Sequence, residues 1–368
     1  MYMEKEKNYK EPNNKGFLDS FFKLSERGSN VKTEIIAGIT TFITMAYIIF
    51  VNPSILMQAG MNSKGLVGEA AVKAGLSAIN DPVVGAVFAA TCISAGIGTL
   101  IMALYANVPF AQAPGMGGLN AFFTFSVCLT LGYTWQQALA AVFISGLLFI
   151  IITLTSIREK IVDALPQNLK LAISGGIGLF IALVGFKSGG IIVANPATLI
   201  SFGDFTNPAT VLTIIGICIT AILMAKNIKG SMLIGIVVTT LIGIPLGVTK
   251  VAGVSFISAP PSLAPTFLKL DLPGLLGFGG AGIIGALMSI LTVVISFSLV
   301  DMFDTIGTLV GTAEKAGMLD ENGKMEDLNK ALLADAVATT AGALIGTSTV
   351  TTYVESTAGG YQKAEEQV

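Results

Sequence analysis

Apolar residues occur along this chain in long, uninterrupted runs separated by short polar connections. Nine runs approach or reach the length needed to span the hydrocarbon core of a bilayer. They lie at roughly 33–52, 82–106, 114–131, 136–156, 169–187, 210–226, 231–248, 280–304 and 331–347. A tenth region near 348–360 and the third run are short and interrupted by glycine or proline. The pattern predicts an all-α polytopic membrane protein with broken segments at the third and tenth positions.

Composition supports this prediction and excludes several functions. Of the 368 residues 53% are apolar and only 12% charged, whereas soluble domains carry roughly 25% charged residues. The sequence has no histidine, and its three cysteines are far apart within apolar runs. We therefore expect no histidine-based zinc site, no Ser-His-Asp triad, no metal and no cofactor. No cluster of Lys and Arg is dense enough to indicate nucleic-acid binding.

The distribution of positive charge predicts the orientation. If the N-terminus is cytoplasmic, 15 Lys and Arg residues fall in cytoplasmic segments and 5 in external ones, and Lys363 in the tail completes the 21. This asymmetry follows the positive-inside rule. It favours a multi-pass protein of a bacterial-type inner or plasma membrane, with its N-terminus in the cytoplasm.

A weak internal repeat accompanies the spans. Residues 94–99 (SAGIGT) in the second span resemble residues 340–347 (TAGALIGT) in the ninth, and a glycine-interrupted segment follows each. If these segments correspond, the repeat unit has seven spans. An odd number of spans inverts the second copy in the membrane, which is the architecture of many secondary transporters.

Acidic residues within the spans are the first candidates for function, because a carboxylate inside a bilayer costs several kcal/mol. Asp301 and Asp304 lie near the end of the eighth span, and their i,i+3 spacing places them on one helix face. Two adjacent carboxyls of low exposure do not readily ionise together, which suits proton coupling. The alternative is that the span ends here and both acids meet cytoplasmic water.

Three other acids lie in or next to the spans, and only one of them is a candidate for the site. Glu355 follows a stretch rich in Thr, Ser and Gly, which suits extended backbone leading into a half-helix that binds a polar ligand. The alternative is a solvated acid near a frayed end. Asp335 and Glu34 are interpreted as interfacial acids at the starts of their spans, outside any site.

The third segment supplies complementary groups. Pro114 and the glycines after it predict a broken helix. Asn120 offers an amide donor and acceptor, and Phe122 and Phe123 offer flat apolar faces. Alternatively, Asn120 only joins helices and the phenylalanines pack in the core or face lipid. Together with the acids, these residues suit a small planar polar solute. Purines and pyrimidines fit this description, as do other planar molecules.

At these residues the sequence resembles the nucleobase/ascorbate transporter family, in its AzgA-like branch of adenine/guanine/hypoxanthine permeases. The resemblance covers about Phe17 to Gly359. Its motifs are EIIAGITTFITMAYI at 34–48, APGMG at 113–117 with NAFF at 120–123, DMFDTIGT at 301–308 and TTYVES at 351–356.

The resemblance implies a seven-plus-seven inverted-repeat fold of fourteen spans with core and gate domains, and proton-coupled purine uptake. It places Asn120, Asp301 and Glu355 at the purine site and makes Asp304 a second functional acid, so that Asp301, Asp304 and Glu355 carry the proton coupling. The expected partners are a purine base, a proton and membrane lipid; a homodimer is left open. The implied division is 1–32 cytoplasmic segment, 33–156 first half of the core, 169–248 first half of the gate, 280–360 incomplete second half of the core, and 361–368 atypical polar tail.

The sequence departs from the family after Gly359, where four further spans are expected and a polar stretch follows instead. The leading hypothesis is a purine–proton symporter. One alternative is a channel or anion permease on a related inverted-repeat scaffold, although intramembrane carboxylates would repel an anion. Another is a truncated product that transports poorly or not at all. A membrane enzyme is the least favoured, because no nucleophile–base pair is visible.

Overall fold

The computed structural model describes residues 16–115, 118–155, 167–228, 230–249, 259–277, 282–320, 325 and 327–357. The predicted polar tail at 361–368 lies outside these residues. The helices are α1 (Phe17–Phe22), α2 (Val31–Met45), α3 (Ile48–Leu56), α4 (Gly68–Lys73), α5 (Pro82–Ile101), α6 (Leu119–Ala121), α7 (Trp135–Leu154), α8 (Gln167–Ser188), α9 (Pro208–Ala225), α10 (Ser231–Gly243), α11 (Leu272–Gly277), α12 (Gly282–Lys315) and α13 (Leu328–Ile345). The strands are β1 (Gln112–Pro114), β2 (Ile192–Asn195), β3 (Leu199–Phe202) and β4 (Val350–Thr352).

Most of the predicted spans are helical. Within the described residues six helical stretches are long and apolar enough to cross a membrane, and three shorter apolar helices accompany them. The long ones are Val31–Leu56, Pro82–Ala106, Trp135–Leu154, Pro208–Ala225, Ile284–Lys315 and Leu328–Ile345. The shorter ones are Leu119–Thr130, Gly178–Ser188 and Ser231–Gly243. The tenth region begins as strand β4, so it is broken as predicted.

Several helices begin at side chains that bind the free amides of the first turn. Asp81 accepts hydrogen bonds from the amides of Val83 and Val84 at the start of α5. Thr134 and Gln137 form a reciprocal capping box at the start of α7. Such caps satisfy donors that have no partner within the helix. The spans therefore start where local sequence supplies these acceptors.

The core lies where α7, α12 and α13 pack together. Leu139 and Val142 of α7 meet Val293 and Phe297 of α12 in one buried apolar cluster. A second cluster joins the C-terminal half of α12 to α13 and to Phe149 of α7. Helices α9 and α10 pack against each other, with much of their outer surface apolar and exposed. Such faces suit contact with lipid.

Two features differ from the predicted spans. The first span is divided at Ala46 and Tyr47 into α2 and α3. The eighth span does not end at 304: α12 continues to Lys315, and Ile306 and Leu309 lie in the core. The alternative in which the span ends at Asp301 and Asp304 is therefore wrong. The hairpin of β2 and β3 was also not predicted from the apolar pattern.

A candidate site at two crossing strands

Two short segments about 240 residues apart along the chain pair as antiparallel strands. This strand pair is called the crossing below. Strand β1 pairs with β4, with Gln112 opposite Thr352 and Pro114 opposite Val350. Tyr353 extends the contact, since its amide donates to the Ala111 carbonyl at 2.9 Å. Proline and glycine disfavour helix in the first segment, and β-branched residues favour strand in the second. The two broken segments thus meet.

A buried carboxylate lies beside this crossing. Asp335 of α13 is fully buried, and its Oδ1 accepts a hydrogen bond from Gln112 Nε2 at 3.2 Å. Its Oδ2 accepts from Thr305 Oγ1 at 3.0 Å. The Thr305 hydroxyl also lies 2.9 Å from Thr351 Oγ1 of β4. The interpretation of Asp335 as an interfacial acid is therefore wrong, because it joins α12, α13 and both strands.

The two acids of α12 are also buried. Asp301 and Asp304 are 1% and 6% exposed, respectively. Asp304 is close enough to Asp335 for their charges to interact. Among the described residues, Asp304 Oδ2 has no hydrogen-bond partner. Three carboxyl groups of low exposure therefore occupy this region, an arrangement that is costly unless protons or solute offset the charge.

Glu355 lies just beyond β4 and contacts the break in the first span. Its Oε1 accepts a hydrogen bond from Tyr47 Oη at 2.7 Å. Its Oε2 is buried without a hydrogen-bond partner in the described part of the chain. The neighbouring Ser356 accepts from the Ala111 amide at 3.0 Å, which ties this turn to β1. Glu355 thus has one oxygen held by the protein and one without a partner.

Asn120 lies on the other side of the crossing, in α6. It is 2% exposed, and its Nδ2 donates to Asn52 Oδ1 at 3.2 Å. Gly115 follows β1 with φ of +86°, and a Cβ there would lie 2.5 Å from Asn120 Nδ2. A side chain at position 115 would therefore collide with this amide. The glycine lets the backbone approach Asn120 closely.

Comparisons with known proteins show the family of the chain. Residues 32–361 match the model of a family described as "Permease family". The chain belongs to this family. The predictions of a transporter rather than an enzyme, and of a polytopic all-α membrane fold, are confirmed.

Relatives and a solved structure add detail. A putative permease from Methanocaldococcus jannaschii is 50% identical over 93% of this permease and 71% of its own length. The adenine permease AdeP from Escherichia coli is 42% identical, covering 94% and 70%. The guanine/hypoxanthine permease PbuG from Bacillus subtilis is 43% identical, covering 93% and 72%. The transmembrane domain of the cyanobacterial bicarbonate transporter BicA superposes with a TM-score of 0.53 at 16% identity, covering 90% and 76%.

The two phenylalanines of the third segment pack against α12 of the permease. Phe122 meets Phe297 edge-on, with ring centroids 5.1 Å apart and planes at 88°. Phe123 is fully buried in the core, 6.3 Å from the same ring. Edge-to-face contacts of this kind stabilise packing. Phe123 is therefore a core residue, as in the alternative given for it, while Phe122 is partly exposed.

A cavity of about 580 Å³ lies next to the crossing, between α2 and α5. Gln112 and Ser356 line it beside the crossing, and Glu34 and Met318 also line it. Most of its wall is apolar, including Met45, Ala95, Gly96, Leu100 and Phe110. A planar polar solute needs several hydrogen-bonding partners, so the carboxylates and Asn120 at the crossing are the stronger candidate site.

Sequence reasoning missed Tyr47, Asn52, Gln112 and Asp335 as members of this region. Asp335 lies about two turns inside α13, because this helix begins at Leu328, three residues before the predicted span. For Gln112 the signal is its position just before Pro114, in a segment that was already predicted to be broken. Tyr47 and Asn52 lie in an apolar run whose interruption depends on distant contacts.

Proposed function

We propose that this permease carries purine nucleobases across the cytoplasmic membrane by proton symport. The observation that carries the proposal is its identity of 42–43% to an adenine permease and a guanine/hypoxanthine permease, over 93–94% of its length. The residues of the paired strands and the buried acids lie within residues 32–361, which match the family model. The likeness to the bicarbonate transporter concerns the fold alone. The buried carboxylates disfavour an anion as the solute.

In this proposal Asn120, Asp301 and Glu355 bind the base. Asn120 lies close to Gly115, which follows β1, and Ser356 next to Glu355 accepts from the Ala111 amide, which precedes β1. The two residues are therefore at opposite ends of the same short strand. Carboxylates accept hydrogen bonds from ring and exocyclic N–H groups, and an amide can donate or accept. Phe122, which is partly exposed, is assigned to contact a face of the base, and Phe123 packs against the same Phe297 ring as Phe122.

Proton coupling is assigned to Asp301, Asp304 and Glu355, with Asp335 as a neighbour whose charge affects Asp304. An ionised carboxylate resists transfer into a low-dielectric, closed state, whereas a protonated one does not. Binding a proton and a base together therefore favours the movement that carries both across. Alternating access then proceeds by relative motion of two bodies. We assign α2–α7 with α12 and α13 to the core, and α8–α10 to the first half of the gate.

The N-terminus is assigned to the cytoplasm, because 15 positive residues then lie in cytoplasmic segments and only 5 in external ones. Alternate-side labelling of Lys64 and Lys315 in intact cells and inverted vesicles tests this orientation. Lys64 labelled only from outside and Lys315 only from inside is the expected result; the reverse pattern contradicts it.

Uptake of radiolabelled hypoxanthine, guanine and adenine into purine-uptake-deficient cells tests the function. The chain is assayed beside a chimera that adds the unmatched part of the M. jannaschii relative, and both are checked for membrane insertion. We expect protonophore-sensitive uptake that Glu355→Gln abolishes. The matched control is Glu69→Gln, since Glu69 is exposed and forms only a surface ion pair with Lys73 at 3.3 Å.

The outcomes separate the hypotheses. Uptake that requires sodium and resists the protonophore overturns proton symport but keeps purine transport. Failure of both inserted proteins to move any of the three bases overturns the purine proposal. Uptake by the chimera alone places the activity in the longer chain.

A further inference from the structure

The fully buried amide of Asn52 contacts both Asn120 and the residues that precede β4. Asn52 of α3 donates through Nδ2 to Thr91 Oγ1 at 2.8 Å and to Thr347 Oγ1 at 2.9 Å. Its Oδ1 accepts from Asn120 Nδ2 at 3.2 Å and from Ser348 Oγ at 3.3 Å. An amide has two N–H donors and two acceptor lone pairs. All four are used here, so the orientation of Asn52 is fully determined.

A helix carbonyl sets which group donates and which accepts in these hydrogen bonds. The Thr91 hydroxyl has one proton, which it donates to the Val87 carbonyl at 2.7 Å. Thr91 Oγ1 therefore offers Asn52 only a lone pair, and Asn52 must turn its NH2 group toward it. The oxygen of Asn52 then faces Asn120, so that Asn120 must turn its own NH2 group toward Asn52. The oxygen of the Asn120 amide is then the group that is turned away from Asn52.

We propose that Asn52 is a positioning residue that fixes the polarity of the Asn120 amide, so that the site presents a hydrogen-bond acceptor to an N–H edge of its ligand. The proposal rests on the proposed function, in which Asn120 contacts a purine base. A site built to accept one N–H group rejects an analogue that lacks it, because a buried polar group is then left unpaired. If the amide of Asn120 could rotate freely, it would donate or accept and this discrimination would be lost.

The test is displacement of radiolabelled hypoxanthine from the purified full chain in lipid nanodiscs. The competitors are hypoxanthine and its 1-methyl, 7-methyl and 9-methyl derivatives, each of which lacks one N–H position. In the unmodified protein we expect at least one derivative to bind about tenfold or more weakly than hypoxanthine, a difference of about 1.4 kcal/mol. The readout is the ratio of derivative to parent affinity, which a general loss of folded protein does not change.

The variants remove the directional constraint at two points. Asn52→Leu is close in size but has no hydrogen-bonding group, and we expect the ratio to fall to about threefold or less. Thr91→Val removes the acceptor that orients Asn52 and is expected to lower the ratio as well, whereas Thr91→Ser restores it. The control is Thr130→Val, because the Thr130 hydroxyl also donates to a helix carbonyl, that of Phe125 at 2.8 Å, but lies away from Asn52. The ratio is expected to stay unchanged in this variant.

The outcomes are distinct. A ratio that is the same in Asn52→Leu, Thr91→Val and the unmodified protein overturns the role of Asn52 while purine binding stands. Absence of hypoxanthine binding to the unmodified protein overturns both this inference and the proposed function. If Asn52→Leu fails to fold, the Thr91→Val and Thr91→Ser pair decides the matter alone.

Discussion

Replacing Asp335 is expected to separate two roles of a buried carboxyl group, packing and charge. Its two oxygens accept hydrogen bonds from Gln112 and Thr305. Asp335→Ala leaves both donors buried without their acceptor, and each unsatisfied group costs about 1–3 kcal/mol. The two together predict a loss of about 2–6 kcal/mol in the free energy of unfolding.

Asp335→Asn is expected to behave differently, because the Thr305 hydroxyl can reverse its direction. Thr305 Oγ1 lies between Asp335 and Thr351, and either hydroxyl can be the donor to the other. If Thr305 donates to Thr351, it can accept from the NH2 group of an asparagine at 335. The asparagine oxygen still accepts from Gln112, so that Gln112 and Thr305 both keep a partner. We expect the stability of this variant to stay within about 1 kcal/mol of the unmodified protein.

Thermal unfolding in detergent, followed by loss of the monodisperse peak, measures the difference. We expect Asp335→Ala to lower the melting temperature by about 5 °C or more, and Asp335→Asn by much less. The control is Asp327→Ala at the start of the same helix, where a surface ion pair with Lys330 at 2.8 Å contributes about 0–1 kcal/mol. The reasoning is refuted if Asp335→Ala melts with the control, or if Asp335→Asn falls as far as Asp335→Ala.

Three further predictions follow from single contacts. Gly146→Ala is expected to lower the melting temperature by the equivalent of about 1–3 kcal/mol, because its Cβ would lie 3.1 Å from the backbone nitrogen of Thr340. Gly38→Ala, also within a helix but with nothing within 4 Å, is its control and is expected to keep or raise stability. Burial raises the pKa of Asp81, but hydrogen bonds from Ser63 and the backbone amides that it caps lower it overall. Its contribution, about 0.5–2 kcal/mol as a cap, is therefore present at neutral pH and disappears as the pH falls through the lowered pKa. The melting difference between Asp81→Ala and the unmodified protein is expected at pH 7 and shrinks below about pH 4. Tyr47→Phe removes the hydrogen bond to Glu355 and is expected to reduce base uptake severalfold without loss of folded protein.

Each of these has a clear opposite result. Equal melting of the Gly146→Ala and Gly38→Ala variants would show that α7 and α13 are not closely packed at this point. A melting deficit of Asp81→Ala that grows in acid would reverse the assigned direction of the pKa change. Unchanged uptake in Tyr47→Phe would remove Tyr47 from the site.

The helices were predictable from local sequence wherever a long apolar run is itself the cause of the structure. Helices α5, α7 and α9 begin and end within a few residues of the predicted spans. The crossing strands were predictable only as interruptions, since Pro114 and the adjacent glycines disfavour helix without indicating a partner. The pairing with β4 depends on residues 240 positions away. No local pattern encodes that register.

The missed site residues share one physical reason. The break at Tyr47 contains neither proline nor glycine, and it coincides with the hydrogen bond from Tyr47 to Glu355, a residue 308 positions later. Asp335 resembles an interfacial acid by sequence, because it lies near the start of an apolar run. The partners that bury it, Gln112 and Thr305, come from other segments. By contrast, Asp301 and Asp304 were identified as candidates because their spacing alone places two acids on one face of an apolar helix. Local spacing thus revealed the acids on one helix but not the contacts between segments.

The hydroxyl groups around the buried carboxyls explain how one site can accept two charge states. A backbone amide can only donate, whereas a threonine hydroxyl can donate to a carboxylate or accept from a carboxylic acid. Thr305 stands between Asp335 and Thr351, within 3.0 Å of both, so that a proton arriving on Asp335 can be met by reversal of the hydroxyl. The surrounding hydrogen bonds then survive protonation without movement of the backbone. Under the proposed proton symport such reversible partners matter, because each fixed donor would penalise the protonated state.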